Sequence, residues 1–518
     1  MQRFNGMFAW GLWDSVRRCL WLVRDRLGVK PLFYALTEKA IFFGSEIKAI
    51  LAHPDFTQRE VDYEALGYYL NTNWMPAPYT LLRDVRQLLP GHHLVLEADG
   101  QCQIQSYWDV HYQEGPYQPS SHYVEEFLSL ISDSVKIRLV SDVPFGAFLS
   151  GGLDSSTVAY WMAQHQQQPI RTFSVGFEVE AFDETTYARA VAAHIGSQHY
   201  ERRLSATDAT LLERLVWHAE EPTADSSMVA MYAVSQLARE HVTMVHSGDG
   251  GDELFAGYTT YTAHYLHKLY SLLPGVLRQS ILPALAQRIP PSWGKVGLDE
   301  QVRRFVYGGR HDSDSAHALW RVVFTQEAKA QLLSPAVPQI ACQAHITTLY
   351  QQAFQHTDAR HPINRMGYVD TRLYLPNDML VKVDRMTMAH GLEARTPFLD
   401  YRLVEFAARV PPHLKLRGLR HKKHLVKVAM RDKLPPQITQ RKKAGFNVPN
   451  AHWLRGDLRD LAYEALLNSS GFAALVRRPV VERLLREHEQ GKADHSHQLW
   501  GLLSLALWWR RFQDKASL

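Results

Sequence analysis

The sequence predicts an α/β protein whose main domain is a doubly wound parallel sheet, preceded by a β-rich layer. Three observations support this: short apolar strands in residues 7–48, alternating helix and strand patterns from residue 122 to about 260, and two glycine-rich turns that each follow an apolar strand. Ligands of parallel sheets bind beyond the carboxyl ends of the strands. We therefore expect the two turns to form one binding site.

The first part of the chain is predicted to be β-rich. Four short apolar segments, separated by charged or glycine-containing turns, have the sequences MFAWGLWD, CLWLVRD, PLFYAL and AIFFGSE. A stretch rich in Pro, Gly, Ser and Tyr follows at 107–121 and lacks hydrophobic periodicity, which is typical of a linker. The predicted organisation is a domain at 1–110, a linker at 111–121 and a second domain at 122–518.

The second domain begins with a helical pattern from Tyr123, where apolar residues recur every three or four positions. The elements that follow are a strand at 143–150, a strand at 171–177, helices at 185–196 and 226–240, and a strand at 241–248. This alternation predicts the parallel sheet. After about residue 260 the chain is predicted to be mostly helical, forming a second layer over the site.

Composition excludes several classes of protein. The 518 residues exceed what one core usually serves, and the charge of 57 − 53 = +4 gives no support for a nucleic-acid or membrane-surface role. The three isolated cysteines, Cys19, Cys102 and Cys342, argue against a disulfide framework or structural zinc and favour a reducing compartment. The longest apolar stretch, at 499–509, is too short for a spanning helix. We expect a cytoplasmic protein without nucleic-acid or membrane partners.

The first glycine-rich turn, SGGLDSS, runs from Ser150 to Ser156 between an apolar strand and a helix start. Glycines let the backbone approach a ligand closely, and the helix N-terminus offers N–H groups to an anion. Asp154 would repel phosphate by itself, so its expected role is to hold a Mg²⁺ ion that bridges to phosphates. The alternative is an ordinary glycine turn with Ser and Asp capping the helix.

The second turn, SGDGGDELFAGY, begins at Ser247 and also follows an apolar strand. Two carboxylates facing a nucleotide, Asp249 and Asp252, can complete a Mg²⁺ site or position a reacting group. The alternative is an Asp/Gly turn of calcium-loop type, although the spacing lacks the oxygen ligands of an EF-hand.

Both turns, in this order, resemble the glutamine-dependent asparagine synthetases. Further matching blocks are TFSVGF (172–177), FDE (182–184), EEPTADSS (220–227), 375–400, KHLVKVAM (423–430) and RKKAGFNVP (441–449), so the resemblance spans most of 122–455. It implies a synthetase domain of the ATP-pyrophosphatase type, related to the adenine nucleotide α-hydrolases. It further implies a ligase that joins ammonia to aspartate through β-aspartyl-AMP, releasing AMP and pyrophosphate.

The N-terminal strands resemble the second half of the same family's Ntn-type glutaminase domain. In that family the nucleophile is a cysteine at the mature N-terminus, whereas this chain has Gln2, and Cys19 lies inside a predicted strand. We therefore expect that the chain as given does not hydrolyse glutamine and that ammonia is its nitrogen source. A start upstream of Met1, with the sequence an incomplete gene model, is the other explanation.

The resemblance also assigns residues to the reaction. Those expected to bind ATP and pyrophosphate are Phe148, Leu149, Ser150, Gly151, Gly152, Asp154, Ser155, Ser156, Val175, Gly176, Ser247 and Gly248. Those expected to hold Mg²⁺ are Asp154 and Asp252. Asp249 lies where the family has an acidic residue beside the acyl-adenylate, and Lys443 matches the lysine that stabilises charge near the α-phosphate; for Lys443 the alternative is a solvated charge in the basic run RKK.

The block 375–400 supplies candidates for recognising the amino-acid substrate. These are Asp378, Lys382, Asp384, Arg385, Glu393 and Arg395, and for each the alternative is a structural ion pair. Three alternatives for the whole chain also stay open: an amidotransferase for another carboxylate in cell-envelope or exopolysaccharide assembly, a non-catalytic nucleotide-binding subunit, and assembly as a homodimer or with a separate ammonia-supplying glutaminase.

Overall fold

A computed structural model describes residues 1–113, 118–205, 210–294, 297–441, 445 and 447–514. Its strands are β1 (Ala9–Asp14), β2 (Cys19–Arg24), β3 (Phe33–Leu36), β4 (Ile41–Gly44), β5 (Arg86–Gln87), β6 (His92–Glu97), β7 (Cys102–Ser106), β8 (Phe145–Phe148), β9 (Arg171–Phe177), β10 (Gln198–Leu204), β11 (Met244–His246), β12 (Glu393–Arg395), β13 (Leu416–Arg417) and β14 (His421–Lys422).

The α-helices are α1 (Ile47–Leu51), α2 (Tyr63–Thr72), α3 (Ser120–Arg138), α4 (Leu153–His165), α5 (Thr185–Ile195), α6 (Leu212–Ala219), α7 (Met228–Arg239), α8 (Gly251–Leu254), α9 (Thr259–Tyr270), α10 (Leu282–Gln287), α11 (Leu298–Gly308), α12 (Ser313–Leu319), α13 (Gln326–Leu332), α14 (Gln339–Gln343), α15 (Ile346–His356), α16 (Pro362–Val369), α17 (Leu380–Met388), α18 (Tyr401–Arg409), α19 (Pro412–Lys415), α20 (His424–Ala429), α21 (Pro436–Gln440), α22 (Asn450–Arg455), α23 (Arg459–Leu467), α24 (Ser470–Leu475), α25 (Arg478–Glu489) and α26 (Ser496–Trp509). Short 3₁₀ or π-helical segments occupy Glu180–Phe182, Leu277–Ile281, Asp370–Met379, Pro397–Leu399 and Arg510–Asp514.

A five-stranded sheet in the order β10-β9-β8-β11-β12 organises the second part of the chain. All four strand pairings in it are parallel. From β8 the chain continues to β9 and β10 on one side, and then returns to add β11 and β12 on the other. The order therefore reverses between β8 and β11, where open α/β sheets bind their ligands. The predicted α/β class with a parallel sheet is confirmed.

Element positions follow the sequence patterns closely where those patterns are strong. The strand predicted at 171–177 is observed as Arg171–Phe177, and the helix predicted from Tyr123 begins slightly earlier, at Ser120, directly after Pro119. The sequence pattern does not predict strand β10. It lies at a sheet edge and alternates half-exposed charged residues, so its sequence QHYERRL lacks the apolar signal of an inner strand.

The N-terminal part forms two antiparallel sheets, β1-β2-β6-β7 and β4-β3-β5. The four strands predicted in residues 7–48 are confirmed as β1 to β4. Of the predicted linker, residues 114–117 lie outside the described residues.

One hydrophobic core crosses the boundary predicted near residue 110. Helix α2 packs against α14, with Gly67 in close approach to the backbone of Ala341. Its Tyr69 hydroxyl donates a hydrogen bond of 2.8 Å to the Gly501 carbonyl oxygen in α26. The apolar stretch at 499–509 is thus part of this buried helix. None of the helices in the described residues combines the length and apolarity needed to cross a lipid bilayer.

Candidate functional site

Two loops form the candidate site, one after β8 and one after β11. The first comprises Ser150–Gly152 and leads into α4; the second comprises Ser247–Gly250 and leads into the short helix α8. Because β8 and β11 are neighbours in register, with Ala147 opposite His246, both loops leave the same edge of the sheet. The expected juxtaposition of the two glycine-rich turns is therefore present.

The first loop has the geometry of an anion cradle. The N-cap residue of α4 is Gly152, which has no side chain to cap the helix. The backbone N–H groups at the helix N-terminus are therefore open to a ligand. The hydroxyls of Ser150 and Ser155 lie 3.1 Å apart across the loop. The Ser156 hydroxyl is buried and has no hydrogen-bond partner among the described residues. An unpartnered donor beside a helix N-terminus is suited to a phosphate oxygen.

Glycines allow the two loops to pack directly on each other. A Cβ atom on Gly248 would lie 2.6 Å from the backbone nitrogen of Ser155, and one on Gly251 would lie 2.6 Å from the carboxyl carbon of Asp154. Both distances are far below van der Waals contact. The glycines of the second loop thus serve close approach to the first loop.

Two carboxylates from the helix starts that follow the two loops meet on one ammonium group. Lys423 forms ion pairs with Asp154, in the first turn of α4, and, at 2.6 Å, with Asp252 in α8. The lysine side chain is only 7% exposed. Burial by itself would lower the pKa of Lys423, but the negative charges of Asp154 and Asp252 outweigh it and the pKa is raised. The ammonium is therefore held charged between the loops.

The residues present fit a Mg²⁺ ion of the nucleotide-bridging kind. Asp154 and Asp252 converge on a single cation position, as shown by their shared contact with Lys423. The described residues contain no group of three or more His, Cys, Asp or Glu side chains that could hold a metal ion. Mg²⁺ is commonly bound by one or two carboxylates together with phosphates and water, so a two-carboxylate set suits a metal that arrives with its nucleotide.

A second buried charge cluster lies beyond the second loop. Lys382 donates a hydrogen bond of 2.6 Å to Asp225, and its ammonium also interacts electrostatically with Asp378 and Asp249. Burial and the charge of Asp225 raise the pKa of Asp378 to about 8. Burial likewise raises the pKa of Asp249, against the lowering effects of Ser247 and Lys382. Three carboxylates thus share one buried cation.

A small cavity extends from the first loop along the carboxyl end of β9. It is lined by Ser150, Ser174, Val175, Phe177, Phe182, Glu184, Thr185, Ala188 and Asn447. Val175, predicted to frame the adenosine, lies in its wall, and the predicted neighbours Phe148 and Leu149 lead into the loop from β8. This cavity has the mixed apolar and polar lining that a nucleoside requires.

Lys443 lies outside the described residues, as does Lys442. The residue two positions earlier, Arg441, contacts the site. Its guanidinium donates a hydrogen bond of 3.2 Å to the Gly151 carbonyl oxygen and pairs with Glu184 at 2.8 Å. The side chain of Arg441 therefore reaches the first loop.

The remaining candidates of the block 375–400 form ion pairs elsewhere. Asp384 pairs with Lys30 at 3.0 Å, and Arg385 pairs with Glu220 at 3.0 Å. Glu393 is exposed at the start of β12, where it pairs with Arg395. The structure thus brings Asp378 and Lys382 next to Asp249 but places the other four candidates in other contacts. Their expected role in substrate binding stays a prediction.

The sequence motifs assign no role to Lys423 or Asp225. Both lie in blocks that match the family, KHLVKVAM and EEPTADSS, but nothing in their neighbourhood distinguishes them from surface charges. The distinguishing property is burial, since Lys423 is 5% exposed as a whole residue. Buried charges are rare unless paired, so pairing across distant segments identifies them once the fold is known.

The fold and site define a nucleotide-binding α/β enzyme, and comparison with known proteins gives the family. The asparagine synthase model matches residues 126–510, and a glutamine amidotransferase domain model matches residues 1–108. Asparagine synthetase [glutamine-hydrolyzing] 1 of Bacillus subtilis is 32% identical over 513 residues, covering 98% of this chain and 77% of the relative. A putative asparagine synthetase of Mycobacterium tuberculosis is 34% identical over 523 residues, with the same coverage.

The chain therefore belongs to the asparagine synthase family. It is a ligase that forms a carbon–nitrogen bond in an ATP-dependent amide synthesis. The resemblance noted from the sequence motifs is confirmed.

The contact between the two loops leads to a first prediction. Gly248→Ala should weaken ATP binding by about tenfold or more, because the added methyl group must push the second loop away from Ser155. Titration calorimetry with ATP measures the effect. Gly294→Ala is the matched control, since a Cβ atom there meets nothing within 4 Å. Parent-like ATP affinity in Gly248→Ala would show that the loops do not need their close contact.

Proposed function

We propose that the chain synthesises asparagine from aspartate through a β-aspartyl-AMP intermediate. The observation that carries the proposal is the convergence of Asp154 and Asp252, from two loops at the sheet's switch point, on one cation position beside an open helix N-terminus. This arrangement suits a bound triphosphate whose pyrophosphate end must be stabilised as it leaves.

The first step places negative charge on the leaving pyrophosphate. An aspartate carboxylate oxygen attacks the α-phosphorus of ATP, a bond to that phosphorus forms, and the bond to the bridging oxygen of pyrophosphate breaks. The donors available for this charge are the N–H groups at the start of α4 and the hydroxyls of Ser150 and Ser156. Donors fixed in advance at a site of developing charge are the main source of catalysis in such reactions.

Asp154 and Asp252 are proposed to hold Mg²⁺, which when bound neutralises phosphate charge. Lys423 supplies a second positive charge that belongs to the protein itself. Its raised pKa keeps it protonated throughout the neutral range, so it can hold the two carboxylates together before the nucleotide arrives. Lys443 is proposed to stabilise the α-phosphate region, and the position of Arg441 beside Gly151 supports this assignment.

The second step transfers the acyl group to ammonia. Attack of NH₃ on the acyl carbon gives a positively charged nitrogen that must lose a proton before AMP departs with the acyl oxygen. Asp249 is proposed to accept this proton, because burial raises its pKa and so makes its carboxylate a stronger base. The positive charge of the neighbouring Lys382 offsets the repulsion between Asp249 and the other carboxylates of the cluster.

The charge cluster around Lys382 supports an amino acid as the acyl substrate. A free amino acid carries one ammonium and one α-carboxylate beside the carboxylate to be activated. Asp225 and Asp378 can accept hydrogen bonds from the ammonium, while Lys382 can pair with the α-carboxylate. A carboxylate substrate without these groups would leave the buried charges of the cluster without partners, which raises the free energy of the complex. This favours aspartate over a carboxylate of another class.

The types and the bounds of the two domains are part of the same proposal. The strand order around β8 and β11 and the two loops support an ATP-pyrophosphatase type of synthetase domain at 122–518. The antiparallel sheets of 1–110 support an N-terminal domain of the glutamine amidotransferase type, with a connection at 111–121.

A second prediction tests the metal-holding carboxylates. Asp154→Asn and Asp252→Asn should each reduce pyrophosphate release by about 100-fold or more, because each removes a charged ligand without changing volume. Release is measured with aspartate, ATP, Mg²⁺ and an ammonium salt. The control is Asp142→Asn, an exposed carboxylate in the turn that precedes β8. Near-parent turnover in Asp154→Asn would contradict the metal-holding role and would leave Asp154 only a role at the start of the helix.

A third prediction concerns the nitrogen source of this 518-residue polypeptide. Cys19 is buried within β2, and burial raises the pKa of the half-buried Cys102, so neither offers an exposed thiolate of the kind that attacks glutamine. Cys342 lies in α14, within the helical layer that packs on α2. Ammonium salts should therefore support amide formation and glutamine should not.

The measurement compares asparagine formation with each nitrogen source and follows glutamate release in parallel. Matching rates of glutamate and asparagine production from glutamine would contradict the prediction. A Cys19→Ser, Cys102→Ser, Cys342→Ser triple variant then shows whether any thiol of the chain is responsible.

A further inference from the structure

We propose that the helical hairpin of residues 259–287 docks on an anionic lipid bilayer through its apolar tip, defined as Leu269, Leu272, Leu273 and Val276. This contact lies outside the ligase reaction and assigns the protein a membrane-surface partner. It revises the expectation, drawn from overall charge, that no membrane is involved.

The hairpin concentrates the exposed apolar side chains of the molecule. Of the 21 large apolar residues exposed in the described part of the chain, seven lie in the hairpin, between residues 266 and 285. Leu272 is 80% exposed, Val276 69% and Leu269 64%. Single exposed leucines are ordinary on protein surfaces, but a cluster marks a surface that meets another apolar phase.

Helix α9 presents the reverse of the usual amphipathic pattern. Its buried face consists of Tyr261, His264, His267 and Tyr270, while Leu266 and Leu269 face outward. A helix that only packed on its own domain would place its leucines inside. The polar aromatic residues take that position instead, so the outward leucines are left for a partner.

The turn after α9 projects from the surface. Residues 271–276, which include Pro274 and Gly275, are all exposed. The returning limb is held to α9 by the Tyr270 hydroxyl, which donates a hydrogen bond of 3.4 Å to the Arg278 carbonyl oxygen. The apolar tip is therefore a convex projection on an anchored base.

Charge around the tip selects the partner. From Leu254 to Leu298 the sequence contains no Asp or Glu, whereas Lys268 and Arg278 flank the tip in sequence and Arg288 follows the end of α10. The nearest acidic residues in the packed elements are engaged: Asp299 is 2% exposed and pairs with Arg303, Glu300 pairs with Arg304, and Asp312 caps the N-terminus of α12. The surface around the tip is cationic.

Leucines on a convex tip surrounded by cations match an anionic lipid surface. The side chains can enter the acyl boundary while the basic residues remain among the headgroups. A second copy of this chain would bring two cationic surfaces together, which is unfavourable. A rigid protein partner would need a groove for the tip, whereas a fluid bilayer adapts to a projection.

The test is co-sedimentation of the full chain with vesicles. We expect binding to mixed phosphatidylcholine and phosphatidylglycerol vesicles and much weaker binding to pure phosphatidylcholine vesicles. The double variant Leu272→Asp, Val276→Asp should lose binding by about tenfold or more, because it removes the inserting side chains and adds negative charge. Lys268→Glu, Arg288→Glu should lose about fivefold or more for each charge.

The control is Val140→Asp, Val143→Asp, which alters two exposed valines in the turn before β8. It should bind vesicles like the parent, and all three variants should keep parent ligase activity with ammonium, which shows that they are folded. Absence of binding to the anionic vesicles, or equal loss in the control, would overturn the proposal. Tip-dependent dimerisation in analytical ultracentrifugation without vesicle binding would also overturn it, by assigning the tip to a second copy.

Discussion

The close packing of the two loops at the switch point is the constraint on which the site depends. Asp154 and Asp252 are about 100 residues apart in sequence, and they share a cation because Gly248 and Gly251 allow the second loop to lie against the start of α4. The parallel pairing of β8 and β11 brings both loops to one edge of the sheet. Larger residues at either glycine would separate the carboxylates.

Each buried lysine of the site is shared by more than one acidic side chain. Lys423 pairs with two carboxylates, and Lys382 interacts with three acidic groups in the cluster beyond the second loop. In the proposed reaction substrate charge arrives beside each lysine, so each can exchange a protein partner for a ligand partner. Such sites are preorganised, because the free energy needed to bring the charges together is supplied during folding and not when the substrate binds.

Much of the fold and the juxtaposition of the two glycine-rich loops could be predicted from the sequence. The turns SGGLDSS and SGDGGDELFAGY follow apolar strands directly, and inner strands such as RTFSVGF carry a continuous apolar signal. Edge strand β10 carries no such signal because half of its side chains face solvent. Lys423 could not be identified because its partner Asp154 lies about 270 residues away in sequence. Its left-handed backbone conformation, with φ at 51°, is also not marked by any local sequence pattern. The net charge of +4 did not reveal the cationic hairpin, because it sums the charges of the whole chain.

The most direct test of the proposed reaction follows the oxygen atoms of the acyl substrate. Aspartate labelled with ¹⁸O in its β-carboxylate is incubated with ATP, Mg²⁺ and an ammonium salt, and the nucleotide and phosphate products are analysed by mass spectrometry. Attack of the carboxylate on the α-phosphorus, followed by ammonia on the acyl carbon, predicts AMP that carries one ¹⁸O atom and unlabelled pyrophosphate. Labelled inorganic phosphate together with ADP would contradict the proposed reaction, because these products would place the attack on the γ-phosphorus instead.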